Sequence, residues 1–480
     1  MTPSRPRSSY RRRRAVVIGA GLTGMLAAAA LAEVADEVDV IERDTLPVGP
    51  RPRQGLPQAH HAHLLWSGGA RAIEALLPRI TDHWLAAGAR RIPLPTGLVS
   101  MSAAGWLPRW PEMQYVIACS RDLLDWVVRS RVLTHPVITV YERAELLGLT
   151  GTARRVCGVR FRARDGTEAT LDADLVVDAS GRGSRAPRWL AALGVPAVRE
   201  ETVDSGLAYA SRFFRGPEGS ERFPIVNVQS DPRRPVPGRT ATIVPIEGAR
   251  WLVTLSGTRG GQPTGSAGAF ADFARLLVRH PVVGDLIPRA EPLTDVKISH
   301  STVNRRRFYE KLATPEGFLV LGDAVATYNP LYGHGMSVAA QSALALRDTL
   351  RTHGLDAHGL ARRVQKATAR PVGTAWDLAA GQDMLYPGAI GKQSHMGAKL
   401  LRSYVDRLML TATGRPRVTR ALFDVVTLPK PPTCLLHPDT VLAVLRGPGR
   451  APVAQPPLTS LEWRVGSGSE TVEHTGTHGG

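Results

Sequence analysis

The 480-residue sequence predicts an α/β fold: a Rossmann-type nucleotide-binding domain interleaved with a β-sheet domain and followed by a C-terminal helical region. Three observations lead there. A strand, glycine loop, helix and second strand occupy residues 15–44. A further strand, glycine loop and helix occupy 317–350. Between them the chain alternates through segments with the two-residue period of pleated sheet.

In the first unit, Ala15 to Ile18 reads as a short buried strand, followed at once by Gly19, Ala20, Gly21, Leu22, Thr23 and Gly24. Gly19 permits a tight turn, Gly21 lets backbone N–H groups approach a pyrophosphate, and Gly24 lets the helix pack closely on the strand. The helix N-terminus directs about half a positive charge at that phosphate. The next strand, Val38 to Ile41, ends at Glu42 and Arg43, where a carboxylate can accept hydrogen bonds from ribose hydroxyls. Six arginines in the first 14 residues, followed by an uncharged run from Ala15 to Ala32, resemble an export signal or membrane anchor. The glycines at fingerprint positions and the absence of a small-residue cleavage site before Glu33 favour a solvated leader, so no membrane span is expected.

Composition narrows the class. A hydrophobic content of 43% is that of a globular chain with room for two or three domains. Cys119, Cys157 and Cys434 form neither a disulfide framework nor a zinc pattern, which fits a reducing cytoplasm. The net charge of +18 raises nucleic-acid binding, but the excess is scattered arginine with only six lysines and no aromatic-interleaved stripe, so no nucleic-acid partner is expected. A cationic surface would instead steer an acidic substrate or carrier protein in a salt-sensitive way.

After Glu42 a loop ends in His60, His61 and His63. No carboxylate or cysteine stands at ligand spacing, so metal binding is not expected, and His61 and His63 are candidates to hydrogen-bond near a cofactor. Leu64 to Leu77 reads as an amphipathic helix. Residues 91–112, with Trp106 and Trp110, read as irregular structure or short strands. Gln114 to Cys119 is a strand, and Ser120 caps the helix that follows, leaving Arg121 in a first turn where a cation opposes the dipole and calls for an anionic partner. Strands follow to residue 260. An apolar face around Leu207 to Phe214, with Trp106 and Trp251, is expected to hold an extended substrate.

The second anchor is the strand 317–321, ending at Gly322 and Asp323, then Asn329, Pro330, Gly333, Gly335, Met336 and an alanine-rich helix to Leu350. The loop presents backbone donors, and Asp323 can bind a polyol. Helices are expected at Ala361 to Ala369, Gly373 to Met384 and Gly397 to Thr413, with disorder after about Trp463.

Together these motifs resemble the flavoprotein monooxygenases of the aromatic-hydroxylase fold over about residues 15–350. The resemblance implies FAD. Gly19 to Gly24 with Glu42 and Arg43 would hold its ADP half, and Arg121 would contact it. Gly322 and Asp323 would bind the ribityl chain, and Pro330, Gly333, Gly335 and Met336 would face the flavin pyrimidine edge. The family's Gly-Ala-Asp-Gly-x-x-Ser motif reads here Asp178-Ala179-Ser180-Gly181-Arg182-Gly183-Ser184, with serine for the aspartate. Halogenases of this branch use a Trp-x-Trp-x-Ile-Pro motif and a lysine; the motif does not occur in this sequence, and no lysine occurs before Lys297.

Pro57 to Arg71, Ser180 to Ser184, Val203 to Gly206, Pro245 to Gly248 and Tyr328 to Ser337 are similar to the polyether-antibiotic epoxidases of the monensin and lasalocid type. That resemblance implies epoxidation of a linear polyene polyketide through C4a-hydroperoxyflavin, with O2 as co-substrate. Electrons would come from NAD(P)H directly or through a separate flavin reductase. An epoxide hydrolase would follow in the pathway, and no protein nucleophile would be required. The alternative is another flavin oxidoreductase of the same fold, an aromatic hydroxylase or an isoprenoid double-bond reductase. The expected organisation is a basic leader (1–14), a discontinuous FAD-binding domain (15–80, 113–192, 300–352), a sheet domain (81–112, 193–299), a helical region (353–447) and a flexible tail (448–480).

Overall fold

The computed structural model describes residues 12–300, 302–392 and 398–467. Its centre is a five-stranded parallel sheet in the order Phe318–Val320, Leu175–Asp178, Arg14–Ile18, Glu37–Ile41, Ile138–Tyr141. A parallel sheet covered on both faces needs strands that are apolar throughout, and Ala15, Val16, Val17 and Ile18 are all buried. Alternate side chains go to opposite layers. Ala15 and Val17 join the core with helices α1 (Leu22–Leu31), α2 (Arg121–Val132) and α3 (Gly335–His353). Val16 and Ile18 join the core beneath the three-stranded meander 145–172 and the distal part of α4 (Leu360–Asp383). α4 runs through Pro371 without interruption, where two helices are predicted.

The second layer is an eight-stranded sheet built on Ala208–Arg215, Arg250–Gly257, Arg239–Ile246, Ile225–Val228 and Leu98–Ser102. Its two faces differ. Ala210, Phe214, Val226, Ile243, Trp251 and Val253 turn outward, beneath the helices Ala267–Asp272 and Val282–Leu286. Tyr209, Ser211, Phe213, Leu252, Thr254, Val244, Thr242 and Asn227 share the other face, as their register requires. The expectation for Trp106 and Trp251 is therefore corrected. Both are 1% exposed in the outward core and line no cleft.

Other boundaries shift. Ile80, Trp84 and Ala89 pack in the core of the first sheet, so the chain enters the large sheet at Leu98 rather than at residue 81. Leu64–Trp66 is a strand paired with Val116–Ala118, and the helix begins at Ser67. Arg14 is a strand residue whose guanidinium pairs with Glu37, while the leader before Arg12 lies outside the described residues. The tail is ordered through Ser467: Trp106 bridges to Val453, and Val465 and Trp463 of the helix Ser460–Ser467 pack on the outward core. The remainder of the tail lies outside the described residues. Among the described residues no helix is long and apolar enough to cross a membrane.

If Trp251 is a core side chain, Trp251→Ala lowers stability by about 3–5 kcal/mol. Urea denaturation measures this. A loss below about 1 kcal/mol would return the indole to a solvent-facing position.

Candidate functional site

The two glycine loops meet at the carboxyl ends of the parallel strands. Gly19 adopts φ +96°, and a Cβ there would stand 2.9 Å from the Ala179 carbonyl oxygen. Gly322 adopts φ +63°, and a Cβ on it would strike the Thr23 side chain. Thr23 in the first loop and Gly322 in the second are thus in direct contact, although 299 positions separate them along the chain. Gly21 differs. It is the N-cap of α1, with no side-chain cap and no acid in the first turn, and a Cβ on it meets nothing within 4 Å. Open space in front of uncapped helical N–H groups suits an anion. Leu22 is buried in the core, so it contributes through its backbone alone.

Glu42 is 3% exposed and already engaged. Its Oε2 accepts from Ala20 N at 2.6 Å and from the Arg53 guanidinium, and its Oε1 accepts from Asp44 N at 2.9 Å. Arg53 also donates to Ala20 O at 3.0 Å, so this loop arginine laces the fingerprint to the end of the second strand. Nothing in its local sequence marks that role. Arg43 points away, largely exposed, with Asp44 at 3.9 Å.

Arg121 sits in the first turn of α2 beneath the Ser120 cap, whose Oγ accepts from Leu123 N at 3.3 Å. Asp125, one turn on, takes its Nε–H at 2.7 Å and supplies an anionic partner for this cation. Arg121 also acts on Asp323: burial raises the Asp323 carboxyl, and the fields of Arg121, Arg182 and Arg305 oppose that rise. Asp323 Oδ1 lies 3.9 Å from where a Gly335 Cβ would stand, so acid and loop face one another. Pro330 is exposed and Met336 buried, and Gly333 at φ +65° lies against the Trp66 indole, whose Nε1–H donates to Tyr332 O at 3.1 Å.

In the variant middle motif, Asp178 is fully buried. It accepts from Ser180 N at 2.9 Å, from Ser180 Oγ at 2.5 Å and from Ser184 Oγ at 2.5 Å. Both serines thus serve the acid that ends the strand beside the central one. Burial raises the Asp178 carboxyl, and these hydrogen bonds pull against it.

The histidines dock their loop on the large sheet. His61 Nδ1 lies 2.8 Å from Ser211 Oγ, which is 2.7 Å from Thr254 Oγ1, and Ala62 N donates to Thr254 Oγ1 at 3.1 Å. His63 Nδ1–H donates to His61 O at 2.8 Å, leaving Nε2 as an acceptor. Burial lowers His61 to about 4 and His63 to about 3, the latter aided by Arg121. His334 donates Nε2–H to Val426 O at 3.1 Å, and burial lowers it to about 4. Among the described residues its Nδ1 is buried without a partner.

These neutral histidines set a pH dependence. Their folded values lie below the ordinary 6.5, so their contribution is full above about pH 6.5 and is lost as pH falls toward about 4. Each adds a slope of up to about 1.4 kcal/mol per pH unit in that window. His63→Gln is expected to flatten the slope of unfolding free energy between pH 6.5 and 4.5. Denaturation curves at several pH values check this, and an unaltered slope would contradict it.

Taken together, the uncapped N-terminus at Gly21, the buried acid Glu42, the half-buried acid Asp323 and the donor loop leading into α3 fit a flavin dinucleotide. A profile described as FAD binding domain matches residues 12–353. The chain is 31% identical over 388 residues to Protein Rv3254 of Mycobacterium tuberculosis, covering 78% of this chain and 80% of that one. It is 28% identical over 362 residues to a kynurenine 3-monooxygenase of Salinispora arenicola, covering 72% of this chain and 73% of the other. Among solved structures, p-nitrophenol 4-monooxygenase PnpA from Pseudomonas putida superposes with a TM-score of 0.60 at 14% identity, over 86% of this chain and 99% of that one. The chain belongs to the FAD binding domain family, and it is an FAD-dependent monooxygenase.

Proposed function

We propose that this monooxygenase epoxidises the olefins of a linear polyene polyketide in polyether antibiotic biosynthesis. The observation that carries the reading is the inward face of the large sheet. On it the half-buried Leu98 and Phe213, backed by the buried Val244 and Leu252, form an apolar surface beside Ala62, Leu64 and Trp66. A row of polar side chains, Ser211, Thr254, Thr242 and Asn227, crosses it from strand to strand. An alkene needs a dry apolar wall to hold it and no proton removed from it, and the histidines at this wall are held neutral by burial. Of that row the half-buried pair Asn227 and Thr242 would give oxygen substituents of a polyketide chain hydrogen-bonding partners.

FAD, when bound and reduced, supplies the activation of O2. One oxygen atom enters the alkene and the other leaves as water, with two electrons from NAD(P)H directly or through a separate flavin reductase. The chain's own residues bind and orient. The first-turn N–H groups after Gly21 would hold the pyrophosphate, Glu42 the ribose and Asp323 the ribityl hydroxyls. The amides from Gly333 to Met336, where the loop enters α3, would hold the pyrimidine edge. Orientation of this kind lowers a barrier by several kcal/mol, up to roughly 7–11 in the best intramolecular cases. The substrate arrives free or on an acidic carrier protein in the cytoplasm, and an epoxide hydrolase consumes the product.

A second reading, aromatic hydroxylation, is favoured by the likeness to a kynurenine 3-monooxygenase. The test uses FAD-reconstituted protein with NAD(P)H, with and without an added flavin reductase. Citronellol is the trisubstituted alkene with a polar end, and L-kynurenine the aromatic arm. A citronellol product heavier by one oxygen supports the epoxidase. Citronellol unchanged or gaining two hydrogens, with kynurenine oxygenated, would overturn it.

A further inference from the structure

Asp383, the last residue of α4, lies beyond the segment that the family profile matches, and it is 1% exposed. Its carboxylate is the meeting point of a buried hydrogen-bond network. Asn329 Nδ2 donates to both of its oxygens at 2.9 Å, Asn304 Nδ2 to Oδ2 at 2.7 Å, and the Tyr332 hydroxyl to Oδ1 at 2.9 Å. The orientation of each amide is fixed by its other end. Asn329 Oδ1 accepts from Leu331 N at 3.0 Å and from the Tyr209 hydroxyl at 2.6 Å, while Asn304 Oδ1 accepts from Asn329 N at 2.7 Å. Two amide NH2 groups therefore face Asp383 and cannot accept, so the geometry satisfies the ionised acid. Burial pushes the carboxyl up, and the donors Asn329, Tyr332, Asn304 and Ser205 pull it down. Every one of these partners is neutral.

Asn329 and Tyr332 open the loop that runs into α3. The far side of the loop is held from the C-terminal region as well, through His334 to Val426 O and Gln341 Nε2 to Leu428 O at 2.7 Å. We propose that Asp383 is a positioning residue for the flavin: an uncompensated buried carboxylate that fixes the loop from Asn329 to Met336 in its cofactor-facing conformation and places a negative charge behind it. This rests on the FAD assignment alone and is independent of which substrate is oxygenated.

The test measures two properties of the full-length protein, the FAD dissociation constant of the apoprotein and the midpoint potential of the flavin at saturating FAD. Asp383→Asn, which sets an amide against amide donors, is expected to weaken FAD binding about tenfold or more. It is also expected to move the potential positive, because a negative charge that disfavours reduced flavin is gone. Tyr332→Phe keeps the charge and removes one donor from it. It is expected to weaken FAD binding less and to move the potential negative. A role confined to stability would lower the apoprotein's melting temperature and leave the potential of the saturated flavin where it was. Unchanged potentials, or FAD affinity within about twofold of wild type in Asp383→Asn, would overturn the proposal. If that variant fails to fold, the direction of the Tyr332→Phe potential decides alone, and a positive or absent shift overturns it.

Discussion

A Cβ atom on Gly24 would stand 1.8 Å from the carbonyl oxygen of Gly19, closer than any two such atoms can come. That contact sets α1 against the turn it leaves, and it fixes where the first helical N–H groups are aimed. Thr23, one position earlier, then lies where Gly322 has no side chain to displace it. The far glycine loop is therefore located by the near one. Missing side chains at Gly24 and Gly322 thus bring the two loops together, with Asp323 next in the chain and within the field of Arg121.

The same logic of exclusion explains the large sheet. Its outward face is sealed by aromatic packing around Trp251 and Phe223, whose rings stand 4.7 Å apart. Its inward face keeps hydroxyls that bond to one another and to the His61 loop. The 424–428 segment closes the arrangement from behind α3: Gly68 N donates to Thr427 O at 3.0 Å, and a Cβ on Gly68 would collide with Leu428 backbone atoms. The C-terminal helices are thus built into the domain of the parallel sheet beside the second glycine loop.

The glycine loops, the cap at Ser120 and the acid that closes the second strand were legible because each is a local pattern with one structural solution. The side of the sheet taken by each tryptophan was not legible from residue type. It is a matter of parity: Trp251 stands opposite Phe214 in register, on the side of Ala210, and Leu252 with Phe213 takes the other. The composition of 448–480 suggests a flexible tail with disorder after about Trp463, and it does not reveal that Val453 and Trp463 find apolar partners contributed by residues far away in the chain. Arg53, Asn304 and Asp383 escaped for a related reason. Each acts through partners that the fold supplies, and no spacing in the sequence announces them. Asp178 had a signal that was available, an acid ending a buried strand, but its serine partners drew attention to the motif's departure from the family pattern instead.

Glu42, proposed above to hold the ribose, is itself already held in the folded chain. With Ala20 N, Asp44 N and Arg53 all donating to it, the carboxylate has lost its rotational freedom during folding. Nucleotide association therefore carries no further entropic cost at that side chain, where ordering a free rotamer-rich group would cost about 0.5–1.5 kcal/mol. Binding at the adenosine end would in this way draw on the stability of the folded chain, and a protein weakened far from the loop would hold a nucleotide less well without any change in the residues proposed to touch it.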